Sequence, residues 1–142
     1  MDFDDDRQVI VFQLGDQHYA IPILAVQTII RPPGVTPIPG TTDLVEGVIN
    51  LRGKVIPVLN LNRRLGLAAG DRAPETRIIV VEQGGSRVGI VADRVVAVGK
   101  YEEDNFEPLD TVAGNRNDWL TGVIKKKEGL WLLLDLDRVL QG

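Results

Sequence analysis

The sequence predicts an all-β protein made of two small, pseudo-symmetric β-barrels with short helical turns. Three observations predict this class: short apolar runs separated by Gly, Pro, Asn and Asp, a scarcity of helical signals, and an internal duplication. The chain has 142 residues, of which 44 % are hydrophobic, and this is enough to form the core of one domain, which we expect to span 8–141.

Most of the apolar runs are paired around a turn. Gly and Asp tolerate the positive φ of tight turns, so a glycine between two apolar runs predicts a β-hairpin. The predicted hairpins join 9–14 to 18–21 around Gly15, 48–51 to 55–61 around Arg52-Gly53, and 78–81 to 88–91 around Gly84. A further buried run covers 130–136, and Asp135 and Asp137 at its end are expected to cap a helical turn.

An internal duplication organises the chain into two units. A shift of 75 positions places Gly47-Val48-Ile49 on Gly122-Val123-Ile124, and a shift of 69 places the Gly15 hairpin on the Gly84 hairpin. The difference between the shifts predicts a loop-like insertion in 100–117. We therefore expect a first barrel over 15–73 and a second over 76–141, with crossing of the terminal strands allowed. Each unit has about five short strands, which is enough to close a small barrel.

Composition and charge exclude several functions. The chain has no cysteine, a net charge of −4, a pI of 5.0 and 5 % aromatic residues, so disulfides, thiolate metal sites and nucleic-acid binding are disfavoured. The single serine, Ser86, and the single histidine, His18, fall in different hairpins. We expect no catalytic residues, no metal site and no cofactor. The acidic start and the lack of a long apolar run predict a cytoplasmic protein without membrane insertion.

Two features suggest a surface for other proteins. Apolar residues crowd 21–30 without a single period, which indicates either a strand buried on both faces or a partner-binding patch. Arg52 heads a tight hairpin, where arginine is either merely solvated or a binding hot spot. Both alternatives remain open for each feature.

Several motifs closely resemble the CheW family of bacterial chemotaxis coupling proteins, and the likeness covers the chain from about 8 to 140. They are Val-Phe-Gln-Leu-Gly at 11–15, Glu-Gly-Val-Ile-Asn-Leu-Arg-Gly at 46–53, Ile-Pro-Val-Leu-Asn-Leu at 56–61 and Val-Gly-Ile-Val-Ala-Asp-Arg-Val at 88–95. The resemblance implies two SH3-like five-stranded barrels and a non-enzymatic adaptor that joins methyl-accepting chemoreceptors to the histidine kinase CheA. Related pilus-motility or other chemosensory pathways, and less favourably an SH3-like ligand or nucleic-acid module, are the alternatives.

The resemblance also implies which residues contact each partner. The cytoplasmic hairpin tip of a receptor is expected to pack between the barrels, and the regulatory domain of CheA against the second barrel. The receptor-binding residues implied are Val26, Thr28, Ile29, Gly47, Arg52 and Val98, and the kinase-binding residues are Thr76, Arg77 and Ile78. The protein is expected to be monomeric alone and to join receptor arrays at the inner face of the membrane.

Some residues depart from the family pattern. Thr28 stands where the family commonly has Glu, Asn60 stands where Asp is usual, and Lys125-Lys126-Lys127 forms an unusual basic turn. The sequence ends at Gly142, where many relatives are expected to continue as a helix. These departures concern the receptor contact more than the fold.

Overall fold

The fold consists of eleven strands and two short helices in the described part of the chain. The computed structural model describes residues 7–40, 44–65, 67, 72–108 and 119–140. The elements in chain order are β1 (Gln8–Leu14), β2 (Gln17–Pro22), β3 (Val26–Ile30), β4 (Val45–Leu51), β5 (Lys54–Leu59), α1 (Leu61–Arg64), β6 (Arg77–Gln83), β7 (Ser86–Ala92), β8 (Arg94–Lys100), β9 (Phe106–Pro108), β10 (Leu120–Lys126), β11 (Gly129–Leu134) and α2 (Leu136–Val139). None of the described helices is long and apolar enough to cross a membrane.

The predicted hairpins are present. β1 and β2 turn at Gly15, which has a φ of +60°, and β6 and β7 turn at Gly84, which has a φ of +61°. β4 and β5 turn at Arg52-Gly53. Asp135 is the N-cap of α2, where its carboxylate accepts a hydrogen bond of 3.3 Å from the backbone N–H of Arg138.

The strands form two sheets. The six-stranded sheet has the order β8-β1-β2-β11-β10-β9, and the five-stranded sheet has the order β3-β6-β7-β5-β4. The sixth strand, β9, comes from the segment predicted to be an inserted loop; residues 109–117 of that segment lie outside the described residues. The prediction of an all-β fold is confirmed.

The sheets do not follow the expected division into 15–73 and 76–141. β6 and β7 come after the division, yet they pair with β3 and β5 of the first half. β2 comes before the division, yet it pairs in parallel with β11 of the second half. The chain passes from one sheet to the other at the 3₁₀ turn Ile23–Ala25 and returns at Asp93, so each sheet contains strands from both halves.

Each sheet curls around a core of its own. One cluster in the five-stranded sheet takes buried residues from β4 to β7, with Ile30 of β3 packed against it. A backbone bridge between Thr36 and Val48 brings the chain after β3 against β4, the strand at the other edge. In the six-stranded sheet, the rings of Tyr101 and Phe106 lie 6.0 Å apart beside a second cluster, so they join the ends of β8 and β9.

The third and largest cluster lies between the two sheets. β1 contributes Ile10 and Phe12 to this cluster, while its alternate residue Val11 faces the core of its own sheet. β6 behaves in the same way, because Ile79 faces the other sheet and Val80 faces inward. Both strands are therefore buried on both faces, which explains their uninterrupted apolar sequences.

Candidate partner-binding surfaces

β3 is an edge strand, and it carries three of the predicted receptor-binding residues. Among the strands that the structure describes, it pairs only with β6, on one side. Val26 at its start packs against the cluster between the sheets, and Thr28 is half-buried. Ile29 is 37 % exposed and pairs with Ile79, so its side chain lies on the sheet face that is turned towards the other sheet.

The apolar segment at 21–30 contains both buried residues and residues exposed to a partner, so each of the two alternatives applies to part of it. Ile21 is fully buried in the cluster between the sheets, and Ile30 packs inside the five-stranded sheet. Leu24, in the 3₁₀ turn, is 68 % exposed, and Ile29 is also exposed. The segment changes sheets in the middle, so no single period can describe it.

Arg52 is held in place by its hairpin. Its φ is +53°, which is unusual for a residue with a side chain, and the next residue, Gly53, donates its backbone N–H to Oδ1 of Asn50 at 2.9 Å. The Arg52 side chain is exposed. Together with Thr28 it lines a surface groove of about 410 Å³, whose other lining residues are Gln27, Leu51, Lys54 and Arg87.

Gly47 is buried and does not itself offer a contact surface. A Cβ atom added there would lie 2.3 Å from the carbonyl oxygen of Thr36, much closer than two atoms can approach. The neighbouring residue Val48 exchanges two backbone hydrogen bonds of 2.9 Å with Thr36. Gly47 therefore lets the segment after β3 pack against β4, which is a structural role.

Val98 lies at the free edge of the other sheet. Within the described ranges β8 pairs only with β1, and Val98 is 61 % exposed. Its partner across the strands is Ile10, a member of the cluster between the sheets, so Val98 lies on the face turned towards the five-stranded sheet. Val98 and Ile29 thus occupy corresponding positions, each exposed at an edge strand that borders the same cluster.

The three predicted kinase-binding residues differ in their exposure. Ile78 is fully buried inside the five-stranded sheet, and Thr76 is 3 % exposed. The Thr76 hydroxyl accepts a hydrogen bond of 2.9 Å from the backbone N–H of Ala73. Arg77 is half-buried and donates from one guanidinium nitrogen to the carbonyl oxygens of Pro74 and Thr76, both at 2.8 Å. Of the three side chains, only that of Arg77 is partly accessible.

No group of three or more His, Asp or Glu side chains in the described ranges is arranged to hold a metal ion. His18 is in the six-stranded sheet and Ser86 in the five-stranded sheet. Burial in the cluster between the sheets raises the pKa of Tyr19 above its ordinary value of 10.0.

Two residues of the groove, Lys54 and Arg87, were not anticipated from the sequence. Lys54 follows the Arg52 hairpin directly, but Arg87 is distant in sequence. The parallel pairing of β5 with β7, in which Val58 lies opposite Gly89, brings the starts of both strands to the same end of the sheet. Only this pairing reveals that the two cations share a surface.

The fold and these surfaces define an all-β module that offers exposed strand edges, a groove and hairpins for other proteins to bind. Comparison with known proteins gives the family. Residues 8–142 match the family model described as CheW-like domain. The chain belongs to the CheW-like family.

Named relatives cover nearly the whole chain. The chain is 32 % identical over 140 residues to the Chemotaxis protein CheW of Helicobacter pylori, covering 99 % of this chain and 85 % of that protein. It is 27 % identical over 123 residues to Protein PilI of Pseudomonas aeruginosa, covering 86 % of this chain and 68 % of that protein. Among solved structures, the crystal structure of scaffolding protein TtCheW from Thermoanaerobacter tengcongensis matches with a TM-score of 0.88 and 30 % identity, covering 96 % of this chain and 94 % of that one.

Proposed function

We propose that this protein is a coupling adaptor in chemotaxis signal transduction that joins chemoreceptors to the histidine kinase CheA without activity of its own. The observation that carries the proposal is the fold match to a scaffolding protein over 96 % of the chain. Two separated accessible surfaces support it, because an adaptor must hold two partners at once. One surface is the Thr28–Arg52 groove with the neighbouring strand edges, and the other surrounds Arg77.

The receptor would bind as a helical hairpin tip along the border between the two sheets. Ile29 and Val98 supply exposed apolar contacts from the two edge strands, and Arg52 supplies a fixed charge at one end. Thr28 lies in the groove beside Arg52, and Val26 and Gly47 support this surface from below. Apolar anchors then provide affinity, while the arginine sets orientation.

The kinase would bind through its regulatory domain at the turn before β6. Arg77 is the predicted contact side chain, with the exposed residues Ala73, Pro74 and Glu75 beside it. Thr76 and Ile78 hold this turn in place through the hydrogen bond to Ala73 and the packing inside the sheet. Their part in the contact is therefore to position the turn.

A reconstitution experiment tests the adaptor role. The purified protein is mixed with the regulatory domain of a CheA kinase and with a chemoreceptor hairpin fragment, both encoded in the same genome, and each binary affinity is measured by calorimetry. The kinase and the receptor fragment are expected to co-sediment only when the protein is present. Absence of binding to both partners would refute the proposal.

Two variants separate the surfaces and act as controls for each other. Val98→Asp is expected to weaken receptor binding and to leave kinase binding unchanged, because it places a charge only at the β8 edge. Arg77→Glu is expected to do the opposite. Leu130→Asp, at a residue that is 52 % exposed and outside both proposed surfaces, should affect neither.

A second candidate is a coupling protein of a pilus-motility or other chemosensory pathway. The match to Protein PilI favours keeping this candidate. It requires a different kinase and receptor on the same two surfaces, so binding assays with the partners of each pathway distinguish the two. In either pathway the protein would act as a monomer on the cytoplasmic side of the membrane, next to the receptor arrays, without nucleic acid.

A further inference from the structure

The groove that contains Thr28 and Arg52 is lined by three cationic side chains. Arg52, Lys54 and Arg87 are all exposed, and the groove also includes the half-buried Leu51. Neither Arg52 nor Lys54 forms an ion pair with any other residue in the part of the chain that the structure describes. Their positive charge is therefore available to a partner.

Among the residues that the structure describes, one carboxylate approaches this cationic groove. Glu82 lies 4.0 Å from Nε of Arg87 and accepts a hydrogen bond from the amide of Gln27. Both of the remaining polar residues in the lining, Gln27 and Thr28, are neutral. Three cations face one anion, so the groove is net positive in a protein whose net charge is −4. The groove would therefore attract an acidic partner segment.

We infer that this groove selects a partner segment that carries carboxylates, and that Lys54 and Arg87 act with Arg52 as specificity-determining residues. The inference rests on the proposed function: the segment is the acidic side of the receptor hairpin, and its apolar side faces Leu51. The cations come from two places in the chain, the β4–β5 hairpin and the start of β7, so they form a local cluster of positive charge. Complementary charge of this kind controls partner choice and association rate.

The test measures binding of a receptor hairpin fragment from the same genome to four variants. Lys54→Glu and Arg87→Glu reverse one charge each, and Thr28→Glu adds a carboxylate inside the groove. Thr28→Gln is the matched control, because it adds nearly the same volume without charge. Each charged variant is expected to weaken binding at least about threefold, and Thr28→Gln less than about twofold.

Two further readouts link the effect to charge. Raising the salt concentration from 50 to 500 mM should weaken binding to the wild type more than binding to Arg87→Glu, because screening removes an attraction that the variant has already lost. A hairpin fragment in which the acidic residues of its tip are changed to glutamine should bind the wild type and Arg87→Glu equally. Unfolding curves verify that all variants are folded.

The possible outcomes separate the inference from the proposed function. Weakened binding of the three charged variants with an unaffected Thr28→Gln supports the inference. Tight binding that is insensitive to all three charges and to salt overturns it, while the adaptor role stands. Wild-type protein that binds neither the hairpin nor the kinase overturns both.

Discussion

The substitution Gly47→Ala tests how the segment after β3 is fixed to β4, the strand at the opposite edge of the sheet. The added Cβ would lie 2.3 Å from the carbonyl oxygen of Thr36 and 2.8 Å from a side-chain carbon of Val35. Relief of this contact must move the segment away, which removes the two hydrogen bonds of 2.9 Å between Thr36 and Val48. The φ of Gly47, +157°, is also one that alanine rarely adopts.

The magnitude follows from these two effects. Each lost backbone hydrogen bond costs about 0.5–1.5 kcal/mol, and the strained backbone costs about 1–3 kcal/mol. We therefore expect a loss of about 3 kcal/mol in the free energy of unfolding, which for a domain of this size lowers Tm by about 10 °C. Urea unfolding at 25 °C, followed by circular dichroism, measures the change.

Gly34→Ala is the matched control for this substitution. Gly34 lies in the same segment, and its φ is not positive. No atom of the described residues other than its chain neighbours lies within 4 Å of the position of an added Cβ. Because alanine restricts the unfolded chain, the control should be neutral or more stable by up to about 1 kcal/mol. A Gly47→Ala variant within about 1 kcal/mol of the wild type would refute the steric argument, since a rigid collision cannot cost so little.

Three further predictions concern the surface, the core and pH. Arg52→Glu should leave the unfolding midpoint nearly unchanged, because the side chain is exposed, yet weaken receptor binding; a variant that unfolds would instead make Arg52 structural. Gly99→Ala should destabilise the protein by about 1–3 kcal/mol in urea unfolding, because its Cβ would lie 2.5 Å from the Trp131 ring; an unchanged midpoint would show that the ring moves freely. The raised pKa of Tyr19 means that the unfolded chain ionises first, so stability should fall as pH rises above 10.0; Tyr19→Phe should lose less over that range, and an equal loss would contradict the assignment.

Local structure could be predicted from the sequence because it depends on neighbouring residues. Glycines at the turns and apolar runs beside them determine the hairpins at Gly15, Gly84 and Arg52-Gly53, and these are all present. The duplication predicted two units, and the described strands form two sheets. The repeat does not determine which strands share a sheet, however, because the strand pairs that connect the halves leave no local pattern.

The site could be predicted only in part for the same reason. Arg52 is exposed and held by its hairpin, as its position in a tight turn indicated. The exposure of Thr76, Arg77 and Ile78 depends on which face of β6 each side chain occupies and on the turn before β6. Because β6 is buried on both faces, its sequence lacks the alternation of apolar and polar residues that would reveal those faces. The proximity of Arg87 to Arg52 arises from the parallel β5–β7 pair, which spans distant parts of the chain.

The two crossings of the chain between the sheets, at Ile23–Ala25 and at Asp93, have a consequence for how the molecule can be divided. Cleavage between the duplicated units would release no complete sheet, because each fragment would contain strands of both sheets. The two sheets must therefore fold together, and a partner that binds one sheet restrains strands from both halves of the chain. The segments that repeat in the sequence therefore do not coincide with the two sheets of the structure.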